Sequence, residues 1–101
     1  MVREFILGAI KIHILYHAKI EPIYGSFMIE ELRSHGYEIG PGTLYPYLHN
    51  LEKAGYLTRE DRKENGRIRK YYSITKEGEQ ALIDAKRMLR ELAKEVLREE
   101  Y

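Results

Sequence analysis

Cysteine is absent from the 101 residues, and so is tryptophan. Without cysteine there can be no disulfide framework, no thiolate metal site and no cysteine nucleophile. Such a chain suits a reducing cytoplasm, where we expect it. Long apolar runs are missing too. Lys11, His13, His17 and Lys19 interrupt the most apolar stretch, which follows Arg3 and Glu4. The interruptions exclude a membrane span there, and no small-residue cleavage site follows as a secretory signal would require. No repeat, low-complexity segment or long linker divides the chain. Catalytic signatures are also wanting: there is no Gly-x-Ser-x-Gly elbow, and Gly40-Pro41-Gly42-Thr43 lacks the Lys-Ser/Thr ending of a phosphate-binding loop. No enzyme is expected.

The formal net charge of +1 conceals an uneven distribution. Residues 1–58 hold five Lys/Arg against six Asp/Glu, residues 59–76 seven against three, and residues 77–101 five against seven. One short segment of net charge +4 therefore lies between two slightly acidic ones. A local basic patch says more about nucleic-acid binding than the whole-chain charge. Among the aromatics, tyrosine dominates with nine residues against two phenylalanines. Its apolar body and polar tip suit half-buried surfaces and interfaces.

Apolar periodicity predicts a helix over residues 2–18. Phe5, Ile6, Ala9, Ile10, Ile12, Ile14, Leu15 and Tyr16 cover more than one side of it, so it is either enclosed by the fold or shared with a partner. Glu21-Pro22 breaks it. A second helix is expected from Gly25 or Ser26 to Ser34, with Ser26 as N-cap, Met28, Ile29 and Leu32 inward, and Gly36 as its end. The third runs from Gly42 or Thr43 to Ala54. Leu44, Leu48 and Leu51 form its core stripe, while Thr43, Tyr45, Pro46, His49, Asn50 and Lys53 lie off it. With Thr43 as N-cap, Pro46 falls in the first turn and costs nothing; with a start at Pro41, it removes one backbone bond.

Asn65-Gly66 signals a two-residue type I′ turn joining strands around residues 57–64 and 67–74. That turn pairs Leu57 with Ile74, Asp61 with Lys70 and Glu64 with Arg67, which suits both core and charge. It also sets Arg62 opposite Arg69, an unfavourable pair unless an anion such as phosphate joins them. From Thr75, the expected N-cap, a last helix continues to residue 101. Leu82, Ala85, Leu89, Leu92 and Val96 make a heptad seam on it. A helix of about 24 residues spans roughly 36 Å, more than a core of this size covers, so the seam is expected to meet a second copy.

Three short helices, a tight hairpin and a long helix make a mainly α fold: a winged helix-turn-helix over residues 1–76 plus a C-terminal dimerisation helix over residues 77–101. In such folds the second helix of the turn motif presents side chains to the major groove. The run Pro41-Gly42-Thr43-Leu44-Tyr45-Pro46-Tyr47-Leu48-His49-Asn50-Leu51-Glu52 resembles the recognition helix of the PadR family of transcriptional regulators. Lys53-Ala54-Gly55-Tyr56-Leu57 continues the likeness. The segment from Arg69-Lys70-Tyr71-Tyr72 through Ser73-Ile74-Thr75-Lys76-Glu77-Gly78 resembles the family's wing strand and the start of its last helix. The resemblance covers residues 24–82. It implies a dimer built from the last and first helices, a palindromic operator, and repression that a ligand or other signal relieves in many members. It places Thr43, Tyr45 and Pro46 at the DNA backbone and groove, and Arg69 and Lys70 on the wing. Where members carry His-Gly-Tyr at the start of the second helix, this chain has Tyr24-Gly25-Ser26, leaving Ser26 or Tyr24 to take the tyrosine's role. The short C-terminal region resembles the subgroup with a single terminal helix. The absence of tryptophan removes the aromatic stacking that some drug-binding members use.

The expected partner is therefore double-stranded DNA. Thr43, Tyr45, Pro46, His49 and Lys53 would enter the groove, and Arg62, Lys63, Arg67, Arg69 and Lys70 would hold phosphates. Leu82, Ala85, Leu89, Leu92 and Val96 would join two copies, with a small-molecule effector at that interface and no membrane partner. A winged-helix protein-interaction module and a non-specific architectural DNA binder are the alternatives. His13 and His17 have metal-ligand spacing on a helix, but no third ligand stands at a telling spacing. They read as core or interface histidines, and neither metal nor cofactor is expected.

Overall fold

A computed structural model describes residues 1–98. Along the chain run α1 (Val2–Ile20), α2 (Gly25–Ser34), α3 (Pro41–Lys53), β1 (Leu57–Glu64), β2 (Arg67–Ile74) and α4 (Lys76–Val96). The strands form one antiparallel hairpin. Its register pairs Leu57 with Ile74, Asp61 with Lys70, Arg62 with Arg69 and Glu64 with Arg67, as the turn chemistry requires. Asn65 and Gly66 both take positive φ, 51° and 76°, the signature of that turn.

One core holds the elements together. Ile10, Ile14, Leu15 and Ala18 of α1 meet Met28 and Leu32 of α2, Leu44, Leu48 and Leu51 of α3, Leu57 and Tyr72 of the hairpin, and Leu82 of α4. Each fully buried leucine or isoleucine side chain contributes about 1.5–3 kcal/mol. Helices α2 and α3 end alike. After α2, Gly36 N–H donates to the Arg33 carbonyl and Tyr37 N–H to that of Leu32; after α3, Gly55 and Tyr56 repeat the pattern toward Glu52 and Leu51. Gly36 and Gly55 sit at φ 90° and 88°, where a side chain would be strained. These two Schellman turns fix the angle at which the chain leaves each helix.

Three local expectations change. Ser26 is not the N-cap of α2; extended Tyr24 is, and no side chain caps that end. The reason lies one residue earlier, where Ile23 exchanges two backbone hydrogen bonds with Tyr72, of 2.8 and 2.7 Å, and so stays extended until the helix begins. Helix α3 starts at Pro41, not Thr43, because proline's fixed φ suits the first helical position. Pro46 is then internal, and the Gly42 carbonyl four residues back, on an exposed residue, loses its helical donor. Finally, α4 ends at Val96 with Leu97 as cap, so it has 21 residues and spans about 31 Å. The continuation expected to residue 101 lies partly outside the described residues.

Helix α4 is pinned only near its start. Thr75 Oγ1 accepts from Gly78 N–H at 3.0 Å and donates to the Gly55 carbonyl at 2.6 Å, and Thr75 N–H donates to the Tyr56 carbonyl at 3.1 Å. Leu82 is 1% exposed, whereas Leu89, Leu92, Val96 and Leu97 are 41–58% exposed. The molecule measures 54 × 29 × 21 Å, and its radius of gyration of 14.9 Å exceeds the ~13 Å of a compact chain this long. No helix is long and apolar enough to cross a membrane among the described residues.

Candidate nucleic-acid interface

The leucine stripe of α3 orients everything around it. Leu44 and Leu48 are fully buried and Leu51 nearly so, which turns Thr43, Tyr45, Pro46, His49 and Lys53 outward. All five expected recognition residues are exposed. Tyr45 does not stand free, because its ring lies on Gly25 at the first turn of α2. A Cβ on Gly25 would come within 2.5 Å of the Tyr45 ring and hydroxyl. Thr43 lies at the other end of this face, in a shallow hollow with Arg3 and Ile6 of α1.

The hairpin closes the opposite side. Tyr24, Gly25 and Ser26 of the α2 start, Tyr45 of α3, and Arg67, Arg69 and Lys70 of β2 line one concave surface of about 610 Å³. Three of the five expected wing cations therefore border the recognition helix. Arg62 and Lys63, on β1, do not line it. The free N–H groups of the first turn of α2 and the cations on β2 make its rim electropositive, with Glu64 as the acidic exception.

The like-charged pair Arg62–Arg69 is reconciled inside the chain, by two tyrosine rings and two glutamates. The Arg62 guanidinium stacks over the Tyr71 ring and that of Arg69 over the Tyr24 ring, both at 4.2 Å. The two tyrosines meet edge to face at 5.4 Å. Tyr71 donates its hydroxyl proton to Glu64 at 2.9 Å, Glu64 lies 3.7 Å from Arg69, and Glu60 accepts from Arg62. The Glu60 contact raises the pKa of Arg62, and Tyr71 raises that of Arg69, so both stay charged. Spreading each cation over a π face separates the charges and ties the wing to the start of α2. Tyr24 thus acts as the joint between wing and helix pair.

On the far side, α1 and α4 enclose an apolar groove of about 860 Å³, lined by Phe5, Ala9, Ile12, Tyr16, Leu82, Leu89 and Leu92 with His13, His17 and His35. Of the expected seam, Leu82 is spent in the chain's own core, Ala85 is half-buried, and Leu89, Leu92 and Val96 face outward. Burial, with His35 and His17 beside it, holds the His13 pKa below the usual histidine value, so its ring is neutral at pH 7.

A helix pair whose second member displays a polar face, flanked by a charged two-strand hairpin, defines a winged helix-turn-helix protein of the nucleic-acid-binding type. The chain belongs to the PadR-like family of transcriptional regulators, whose family model matches residues 14–84. It is 47% identical over 96 residues to the transcriptional regulator Rv3488 of Mycobacterium tuberculosis, an alignment that takes in 95% of this chain and 90% of that protein. A PadR family transcriptional regulator from Eggerthella lenta superposes with a TM-score of 0.84 at 33% identity, over 95% of this chain and 85% of that one. A Streptococcus transcriptional regulator gives the same TM-score at 28% identity, covering 96% and 97%. This is a family of transcriptional regulators and not of enzymes.

Proposed function

We propose that this chain is a sequence-specific repressor that binds a palindromic operator in duplex DNA as a homodimer, within the cytoplasm. The observation that carries the reading is the shared concavity, in which Tyr45 of the outward face of α3, the uncapped start of α2 and three β2 cations converge. Thr43, Tyr45, Pro46, His49 and Lys53 enter the major groove. The α2 N-terminus and Arg67, Arg69 and Lys70 hold phosphates, which gives affinity more than specificity. Arg62 and Lys63 add long-range attraction. Residues 1–76 act as the DNA-binding unit. Residues 77–101 join two copies through Ala85, Leu89, Leu92 and Val96, placing half-sites about 34 Å apart. An effector in the groove between α1 and α4 acts by favouring one spacing of the two recognition helices over another.

The test is a fluorescence-anisotropy titration with a duplex from the region upstream of the gene, beside a scrambled duplex, at several salt concentrations. We expect a preference of about a thousandfold that weakens steeply with salt. Replacing Arg67, Arg69 and Lys70 together by alanine should flatten the logarithmic salt slope by about 2–3 and leave the preference in place. Equal binding to both duplexes would replace this reading with an architectural binder, and weak, salt-insensitive binding with a protein-interaction module.

A second variant probes the seat of Tyr45. Gly25→Ala should push the ring off α2 and weaken operator binding about tenfold, as Tyr45→Ala should, which is the cost of one lost groove contact. Tyr45 is 45% exposed, so its ring can turn toward solvent and thermal stability should stay within about 1 kcal/mol of wild type. A collapse in stability would mean that Tyr45 is a core residue and that the face assignment fails.

A further inference from the structure

Three of the four histidines meet, although they come from two elements. His13 and His17 lie one turn apart on α1, and His35 caps the end of α2. Each offers a ring nitrogen, and the three nitrogens all lie within 4.8 Å of one another. The Schellman turn at Gly36 holds His35 in this position, its N–H donating to the Leu32 carbonyl at 3.1 Å. The His13 ring stacks on that of His35 at 5.1 Å, with Tyr37 edge-on to His13 at 5.2 Å and Phe27 edge-on to His17 at 5.9 Å. A carboxylate completes the group: Glu31 Oε2 is 3.2 Å from His35 Nε2.

This donor set has a definite chemical preference. Hard cations such as Ca2+ and Mg2+ require oxygen ligands, and soft ions favour thiolate, which this chain lacks. Three imidazoles with a carboxylate or a water in the fourth position suit a borderline divalent transition metal. Bonds of about 2.0–2.1 Å to each nitrogen require the rings to draw together by roughly 1 Å, which side-chain rotation supplies. His13 and His17 are half-buried and His35 is exposed, so the site is open to solvent on one side, and its two helical members are already placed by α1. We infer that His13, His17 and His35 form a binding site for a divalent ion of the Zn2+, Co2+ and Ni2+ class. Glu31 supplies a fourth oxygen or the acceptor that orients His35. The ion would tie α1 to the end of α2 at the rim of the apolar groove, which makes this a site separate from the DNA-facing concavity.

Tag-free protein titrated with Co2+ at neutral pH tests the inference. We expect one ion per chain, with the visible absorption of four-coordinate Co2+, bleached when Zn2+ displaces it. His17→Gln and His35→Gln should each abolish the band. Glu31→Gln should weaken binding by about 10–100-fold. His35 is exposed, so its variant should match wild type in metal-free circular dichroism and melting temperature. His49→Gln, which removes the one histidine outside the cluster, should keep the band. A wild-type protein with no stoichiometric Co2+ band would overturn the site. So would a His35→Gln variant that binds Co2+ as tightly as wild type, or loss of the band in His49→Gln.

Discussion

Replacing Gly78 by alanine should lower the melting temperature by roughly 10–20 °C. Helix propensity alone predicts the opposite, a gain of about 1 kcal/mol, because glycine inside a helix is the poorer residue. The contacts reverse the sign. A Cβ at position 78 would stand 2.2 Å from the Tyr56 carbonyl oxygen and 2.7 Å from Ile74 Cγ1. The first obstacle is backbone, which no rotamer change clears. Relief requires α4 to move away from the base of the hairpin, and Thr75 resists that movement through its bonds to Gly78, Gly55 and Tyr56. A net loss of roughly 2–3 kcal/mol is expected for overpacking of this kind, and for about 100 residues each kcal/mol shifts the midpoint by roughly 4–8 °C. Calorimetry on the single variant decides the matter. An unchanged or raised midpoint would mean that α4 can withdraw from Tyr56 without cost. The functional corollary is that the wing and the C-terminal helix share one hinge point, so a change at Gly78 disturbs both ends of the molecule.

In the proposed dimer, replacing Leu89 by lysine should give folded monomers and lower operator affinity by about 10²–10⁴-fold. Leu89 is 41% exposed and borders the apolar groove with Phe5 and Leu92, which are 57% and 55% exposed. An apolar surface of this kind on a small chain marks an interaction site. In a two-fold dimer one substitution places two ammonium groups at the seam, where desolvation makes them costly. The monomer's own core is untouched, because Leu82 and the residues around it are buried within one chain. Affinity falls because two linked half-site contacts become independent, which removes the effective-concentration advantage. Sedimentation equilibrium and the anisotropy titration should move together. A variant that remains a dimer with full affinity would show that α4 uses another face. The metal inference stands apart from this result, since it concerns residues of one chain.

Much of this was legible from residue order, wherever the physics is local. Asn65-Gly66 set the turn, and the turn set a register that places Leu57 opposite Ile74 and Arg62 opposite Arg69. The i, i+4, i+7 spacing of Leu44, Leu48 and Leu51 was enough to turn Thr43, Tyr45, Pro46, His49 and Lys53 outward. Helix ends were less secure. Whether α3 begins at Pro41 or Thr43 depends on small differences among capping arrangements, and the start of α2 depends on a bridge from Ile23 to Tyr72, 49 positions further on. A single extended residue carries no alternation that would reveal it.

What the sequence by itself determined is the set of elements, the hairpin register, the outward face of α3 and the family, because periodicity, turn chemistry and the Pro-Gly-Thr-Leu-Tyr-Pro run act over a few residues. Only the tertiary structure decided that Tyr45 rests on Gly25, that Tyr24 and Tyr71 absorb the two opposed arginines, that Leu82 is spent in the core while Leu89 is not, and that His35 joins His13 and His17. Each of these is a meeting of side chains from different elements. Such meetings depend on how helices pack against one another, and that packing is set by the whole core, in which no single segment carries the information.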